Sequence, residues 1–305
     1  MSGIRDILNI LPQIIKKELD KDSELPSIQE IRMKIGKTLI YIKDLKETVS
    51  SYVVKKEDLA YVIQKISNYS IYAFEEELKQ GYITVQGGHR VGICGACVVE
   101  ENKIKTIKDI GSINIRISKD IEGCSRSILK YIVSKEKLYN TIIISPPKCG
   151  KTTLIRDIGR NISNGIKEQQ VRGRNVCIID ERSEIAACYK GVPQMNVGLR
   201  TDVLDNCPKS YGIMMAIRSM APEVVICDEI GTYEDMKNIV MALNCGVGII
   251  ATIHGNDIED LFKRPVFKEV VENKVFQRAI VLNNEISVGN VRYIYDFINK
   301  NYIKV

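Results

Sequence analysis

A chain of 305 residues exceeds the common single-domain size, so two domains are expected. Its 45% hydrophobic and 27% charged residues exclude collagen-like, disordered and coiled-coil classes and leave an ordinary globular one. A net charge of +6 at pH 7 suits a phosphate-bearing ligand but is too small to argue for nucleic acid by itself.

Ile4, Ile7, Leu8, Leu11, Ile14, Ile15 and Leu19 recur at helical spacing, which predicts a core-facing helix that stops and restarts at Pro12. Alternation over residues 30–35 and 38–42 predicts paired strands around Gly36. Residues 56–81 are mostly helical in pattern, through Leu59, Val62, Ile63, Ile66, Ile71 and Leu78. A β-rich block follows over residues 82–85, 90–94, 96–99 and 112–117, with Gly87-Gly88 and Gly95 read as turns. Together these segments predict a small N-terminal α+β domain over residues 1–123. Residues 124–138 read as a helix leading into a second domain over residues 124–305.

From Asn140 the order becomes strand, loop, helix, repeated. Residues 141–144, 176–179, 224–227 and 247–252 are continuous apolar runs, as parallel strands covered on both faces require. Residues 276–282 and 291–297 predict an antiparallel pair at a sheet edge. The longest stretch without Asp, Glu, Lys or Arg, residues 238–256, holds Asn244, Thr252 and three glycines, and reads as helix plus strand instead of a bilayer span.

Between the first of these strands and the next helix lies Ser145-Pro146-Pro147-Lys148-Cys149-Gly150-Lys151-Thr152-Thr153. A phosphate-binding loop needs backbone N–H groups curled around a phosphate, a lysine for the β/γ oxygens and a hydroxyl for Mg²⁺. Gly150, Lys151 and Thr152 supply the last three places, and Ser145 stands where such loops usually begin with glycine. A second signal is Val224-Val-Ile-Cys-Asp228-Glu229. Asp228, ending an apolar strand, suits Mg²⁺, and Glu229 suits the orientation and deprotonation of an attacking water. The intervening strand 176–179, with a glutamate beside the Mg²⁺ aspartate, resembles the additional-strand P-loop ATPases. A further strand ends at Ala251-Thr252-Ile-His254-Gly255, where a γ-phosphate sensor is expected. Asp180-Glu181-Arg182 and Glu184 add acid near the same edge, either shaping the Mg²⁺ and water network or capping the next segment.

Asp180-Glu181-Arg182-Ser-Glu184, Gly198-Leu-Arg200-Thr-Asp202-Val-Leu-Asp205, Arg218 to Gly231, Ala251 to Gly255 and Tyr72 to Gly92 together resemble the stage III sporulation protein AA family. That family is related to the hexameric ATPases of type II and type IV secretion. The resemblance implies a RecA-like P-loop ATPase domain, with a mostly parallel sheet and helices on both faces, beside the smaller N-terminal domain. It implies ATP and Mg²⁺, with Lys151 and Thr152 as the Walker A pair and Asp228-Glu229 as Walker B. Asp180-Glu181 falls in an acidic box and His254 in a histidine box. Arginines reaching a neighbour's nucleotide would be Arg90 and Arg116, then Arg200 and Arg218. The implied setting is the cytoplasm of the mother cell, with a homo-oligomeric, hexameric ring joined to the membrane through a protein of a sporulation secretion-like complex.

Two other readings stay open. A nucleic-acid-translocating motor on the same fold would need a basic, aromatic-interleaved surface, for which five Phe and no Trp give little support. A nucleotide-binding scaffold with little hydrolysis is motivated by Ser145 and opposed by Lys151, Thr152, Asp228 and Glu229. The nine cysteines, odd in number and often in apolar runs, read as reduced thiols, with no signal peptide expected. Cys94-Gly-Ala-Cys97 lacks a second pair and lies in a strand pattern, so packing competes with a zinc or redox role.

Overall fold

Pro12 divides the first amphipathic stretch. In the computed structural model, helix α1 (Gly3–Ile10) stops before it and α2 (Gln13–Asp20) starts after it, with Pro12 extended at φ −58°, ψ 148°. The apolar stripe nevertheless continues, since Ile7, Leu11, Ile15 and Leu19 are all fully buried. The structure describes all residues except 1–2, 22–24, 44–45, 68–74, 80, 136, 268–274, 285–287 and 305. They fall into two compact units: Met1–Lys119 with Ala187–Gln194, and Asp120–Ala186 with Met195–Val305.

The N-terminal unit continues with β1 (Ile28–Lys34), β2 (Thr38–Lys43), β3 (Lys46–Val53), α3 (Lys56–Ile66), α4 (Glu75–Lys79), β4 (Tyr82–Val85), β5 (His89–Glu100) and β6 (Lys103–Arg116). Its sheet runs β3-β2-β1-β6-β5-β4 with antiparallel neighbours. Gly36 supplies the φ of +71° that the β1–β2 turn needs. Part of the motif from Tyr72, residues 72–74 and 80, lies outside the described residues.

Gly95 is not a turn. β5 passes straight through it, and the register slips between Cys94 and Ala96. The glycine is needed because a methyl there would strike the carbonyl oxygen of Lys108 and stand 3.0 Å from that of Asp109. Two predicted strands are therefore one long bulged strand.

The second unit opens on a helix shorter than the expected 124–138: among the described residues of that stretch, only α5 (Leu129–Ile132) is helical. It then runs β7 (Thr141–Ser145), α6 (Lys151–Asn164), β8 (Val176–Asp180), β9 (Thr201–Asp205), α7 (Lys209–Ser219), β10 (Val224–Cys227), α8 (Tyr233–Asn244), β11 (Gly248–His254), α9 (Ile258–Lys263), β12 (Arg278–Asn283), β13 (Asn290–Asp296) and β14 (Asn301–Ile303). The sheet order is β14-β13-β12-β7-β11-β10-β8-β9. Pairing is parallel from β12 through β9 and antiparallel at β13 and β14. All residues of β7, β8 and β10 are buried, which is why those segments read as unbroken apolar runs.

In the sheet, the strand between β7 and β10 is β11. β8, which intervenes in the chain, lies on the far side of β10. This order brings the carboxyl ends of the phosphate-loop strand, the histidine strand and the Asp-Glu strand side by side. Such an edge is where open parallel sheets bind ligands.

Candidate functional site

The loop from β7 to α6 is built around two left-handed residues. Lys148 has φ +62° and Gly150 has φ +80°, so the chain curls back before Lys151 begins α6. A side chain at Gly150 would also press on Val288 at 3.2 Å and the Gly289 backbone at 3.3 Å. The first-turn amides of a helix have no intrahelical partner and carry the positive end of its dipole, so this curl has the geometry that an anion cradle needs. Ser145 is fully buried, and its hydroxyl donates to the Pro146 carbonyl at 2.9 Å. Pro147 and Lys148 are exposed at the loop's crest, Cys149 is buried beneath it, and Thr152 and Thr153 are half-buried in the first turn of α6.

Across from this cradle stand the acids. Register pairs Cys227 with Ala251, so Asp228 lies level with Thr252 on the adjacent strand. The Thr252 hydroxyl donates to the Asp228 carboxylate and accepts the Glu229 amide at 2.9 Å. Thr152 donates to the other Asp228 oxygen at 3.2 Å. Burial pushes the Asp228 carboxyl above the usual range, against the Thr252 hydrogen bond and the charge of Lys151.

Glu229 occupies the left-handed region at φ +51°, a conformation costing on the order of 1 kcal/mol for a non-glycine residue. It aims the carboxylate at three partners: His254 Nε2 at 2.7 Å, Lys151 Nζ at 3.4 Å and Arg182 Nη1 at 2.8 Å. Burial alone would raise this carboxyl, but the Lys151 charge, the His254 hydrogen bond and Arg182 outweigh it and hold it below the usual range. Lys151 Nζ also lies 3.3 Å from each ring nitrogen of His254.

The turn after β8 lines the same depression. Asp180 is buried and accepts the amides of Glu184 and Ala186 at 2.8 Å each, so it fixes the turn. Burial pushes its carboxyl up to about 6. Glu181 pairs with Lys209, the first residue of α7, and Glu181, Arg182 and Glu184 share the depression with Lys209, Asp228 and Glu229. Sequence reasoning missed the Arg182–Glu229 and Lys209–Glu181 pairs, because only the sheet order brings those positions together.

The residues fit a Mg-nucleotide. Mg²⁺ takes hard oxygens, commonly one or two from protein with the rest from phosphate and water. Thr152 and Asp228 present such a pair, while among the described residues no cluster of three His, Cys, Asp or Glu side chains is placed to hold a metal alone. Arg200 is committed inside the second unit, donating to the Ser163 carbonyl at 3.0 Å, and Arg218 is exposed on α7. Arg90 and Arg116 lie in the N-terminal unit as register partners on β5 and β6, and the Arg90 guanidinium sits 4.6 Å from the Tyr82 ring centre. Among the described residues no helix is long and apolar enough to cross a membrane.

Solved structures share this fold. The chain superposes on the ATPase DotB of Yersinia pseudotuberculosis with a TM-score of 0.62, 14% identity, and coverage of 94% of this chain and 81% of that one. The pilus retraction motor PilT, solved with bound ADP, gives a TM-score of 0.60 at 14% identity, covering 88% of this chain and 76% of that one. Stage III sporulation protein AA of Bacillus subtilis (strain 168) is 43% identical over 298 residues, which are 96% of this chain and 95% of that protein. The family profile described as "Sporulation stage III, protein AA" matches residues 2–301. With nearly its whole length matched, the chain belongs to the sporulation stage III protein AA family.

Proposed function

We propose that this chain is a Mg²⁺-dependent ATPase that works as the motor of a secretion-like membrane assembly in spore formation. The observation that carries the reading is the convergence of Lys151, Thr152, Asp228, Glu229 and His254 at one sheet edge, beside a loop whose left-handed turn leads into a helix N-terminus. The fold shared with DotB and PilT, the latter solved with ADP, supports it.

In this reading residues 145–153 cradle the phosphates through backbone amides, and Lys151 contacts β/γ oxygens. Thr152 and Asp228 would hold Mg²⁺, which when bound would supply positive charge against the phosphate oxygens. Glu229 orients the attacking water and accepts its proton. His254, hydrogen-bonded to Glu229, steadies that carboxylate and reports on the γ-phosphate side. Glu181 is a second acid at the rim of the water network.

Arg90 and Arg116 act in trans on the nucleotide of a neighbouring copy in a head-to-tail, six-membered ring. The motor operates in the mother-cell cytoplasm and reaches the membrane through a protein partner. ATP turnover and oligomer size of wild type, Lys151→Ala and Arg90→Ala test this. Lys151→Ala loses nucleotide binding, whereas Arg90→Ala keeps binding and loses assembly-dependent turnover. Normal turnover in Arg90→Ala would remove that arginine from the trans role.

A further inference from the structure

Both oxygens of the Glu229 carboxylate are engaged. Oε1 faces His254 and Lys151, and Oε2 faces Arg182 at 2.8 Å. His254 and Lys151 come from β11 and α6, the elements that form the nucleotide edge. Arg182 comes from the turn after β8. A carboxylate that is to take a proton from water needs a lone pair open toward that water. The Arg182 pair occupies the oxygen that the other two partners leave available.

The geometry around Arg182 is that of a movable arm on a fixed mount. Its turn is held by Asp180, which accepts two backbone amides, and by Arg156, which donates to the carbonyls of Glu184 and Ile185. The next residue, Ser183, holds the left-handed region at φ +52°. Yet the Arg182 side chain is 65% exposed. An ion pair this exposed contributes little and is weak enough to open.

We propose that Arg182 is a latch on Glu229: paired, it keeps the carboxylate from orienting water, and swung outward, it frees that carboxylate for hydrolysis. The latch rests on the reading of Glu229 as general base given above and adds a restraint on the unassembled chain. Arg182 is a positioning residue, acting through Glu229. A negatively charged group on an assembling partner is the kind of ligand that would draw the guanidinium away.

Steady-state ATP hydrolysis and ATP binding by the full-length chain with Mg²⁺ test the latch. Arg182→Gln should raise kcat by about two- to fivefold, the range an exposed ion pair allows, with ATP affinity unchanged. Arg182→Lys, which keeps a cation for Glu229, should bring turnover back toward the wild-type rate. Placed on Glu229→Gln, the Arg182→Gln change should give no gain, because no carboxylate remains to be released. A purely structural role would lower turnover instead. Lower or unchanged kcat in Arg182→Gln, or a gain that persists on Glu229→Gln, would overturn the latch. Equal turnover in wild type and Lys151→Ala would remove the ATPase reading itself, and the latch with it.

Discussion

The hydroxyl of Thr252 donates to the carboxylate of Asp228, joining two adjacent strands at the level where the magnesium ligand is proposed. The same hydroxyl accepts the Glu229 amide, so one side chain sets the position of both acids. A hydrogen bond to a charged, buried partner contributes about 1.5–3 kcal/mol. Thr252→Val should therefore destabilise the second unit by about that amount in denaturant unfolding. Thr252→Ser should recover most of the loss; an equal loss in both variants would mean that the hydroxyl is not what matters.

Asp180 gives a pH signature. Burial dominates its environment and, despite the amides of Ala186 and Glu184, raises its folded-state value to about 6 from 3.8. The folded state thus prefers the protonated acid. Stability attributable to this residue is highest below about pH 4 and declines as pH rises through 4–6, by on the order of 3 kcal/mol in all. Asp180→Asn cannot titrate, so the stability of wild type minus that of the variant should fall across this window. A flat difference between pH 4 and 7 would contradict the assignment.

The Lys209–Glu181 pair is lopsided. The lysine side chain is 9% exposed and the glutamate 40%. Removing Glu181 strands a buried ammonium at a helix N-terminus, where the dipole also opposes it, and should cost about 3 kcal/mol. Lys209→Met keeps the apolar stem and leaves a solvated carboxylate, so it should cost less than about 1 kcal/mol. Parallel chemical unfolding of Glu181→Ala and Lys209→Met checks the order; the reverse order would mean the pair does not work as described.

Gly95 offers a test in the other unit. A methyl at this bulge meets backbone oxygens of β6, which cannot rotate away as a side chain can. Gly95→Ala should destabilise the N-terminal unit by about 1–3 kcal/mol, read as a lower Tm. An unchanged Tm would show that the bulge can relax.

Much of the second unit was legible because its signals are local. A buried strand, a Gly-Lys-Thr at a helix start and an acid pair at a strand end each announce themselves within a few residues, as does the break at Pro12. The relationships that complete the site are not local. Thr252 meets Asp228, and Arg182 meets Glu229, only because β11 and β8 flank β10 in the sheet. β3 and β9 escaped notice because KETVSSYV and TDVLD leave much of their length exposed or half-buried, so neither carries a strong apolar run. Glycine between two alternating segments signals either a turn or a bulge, and for Gly95 only the register with β6 decides.

The most direct measurement is phosphate release from Mg-ATP, taken together with ATP binding, for wild type, Lys151→Ala and Glu229→Gln. The account predicts hydrolysis by wild type, loss of binding in Lys151→Ala, and retained binding with turnover at least about a hundredfold lower in Glu229→Gln. Three proteins releasing phosphate at one common rate, with ATP binding untouched by the loss of Lys151, would contradict it.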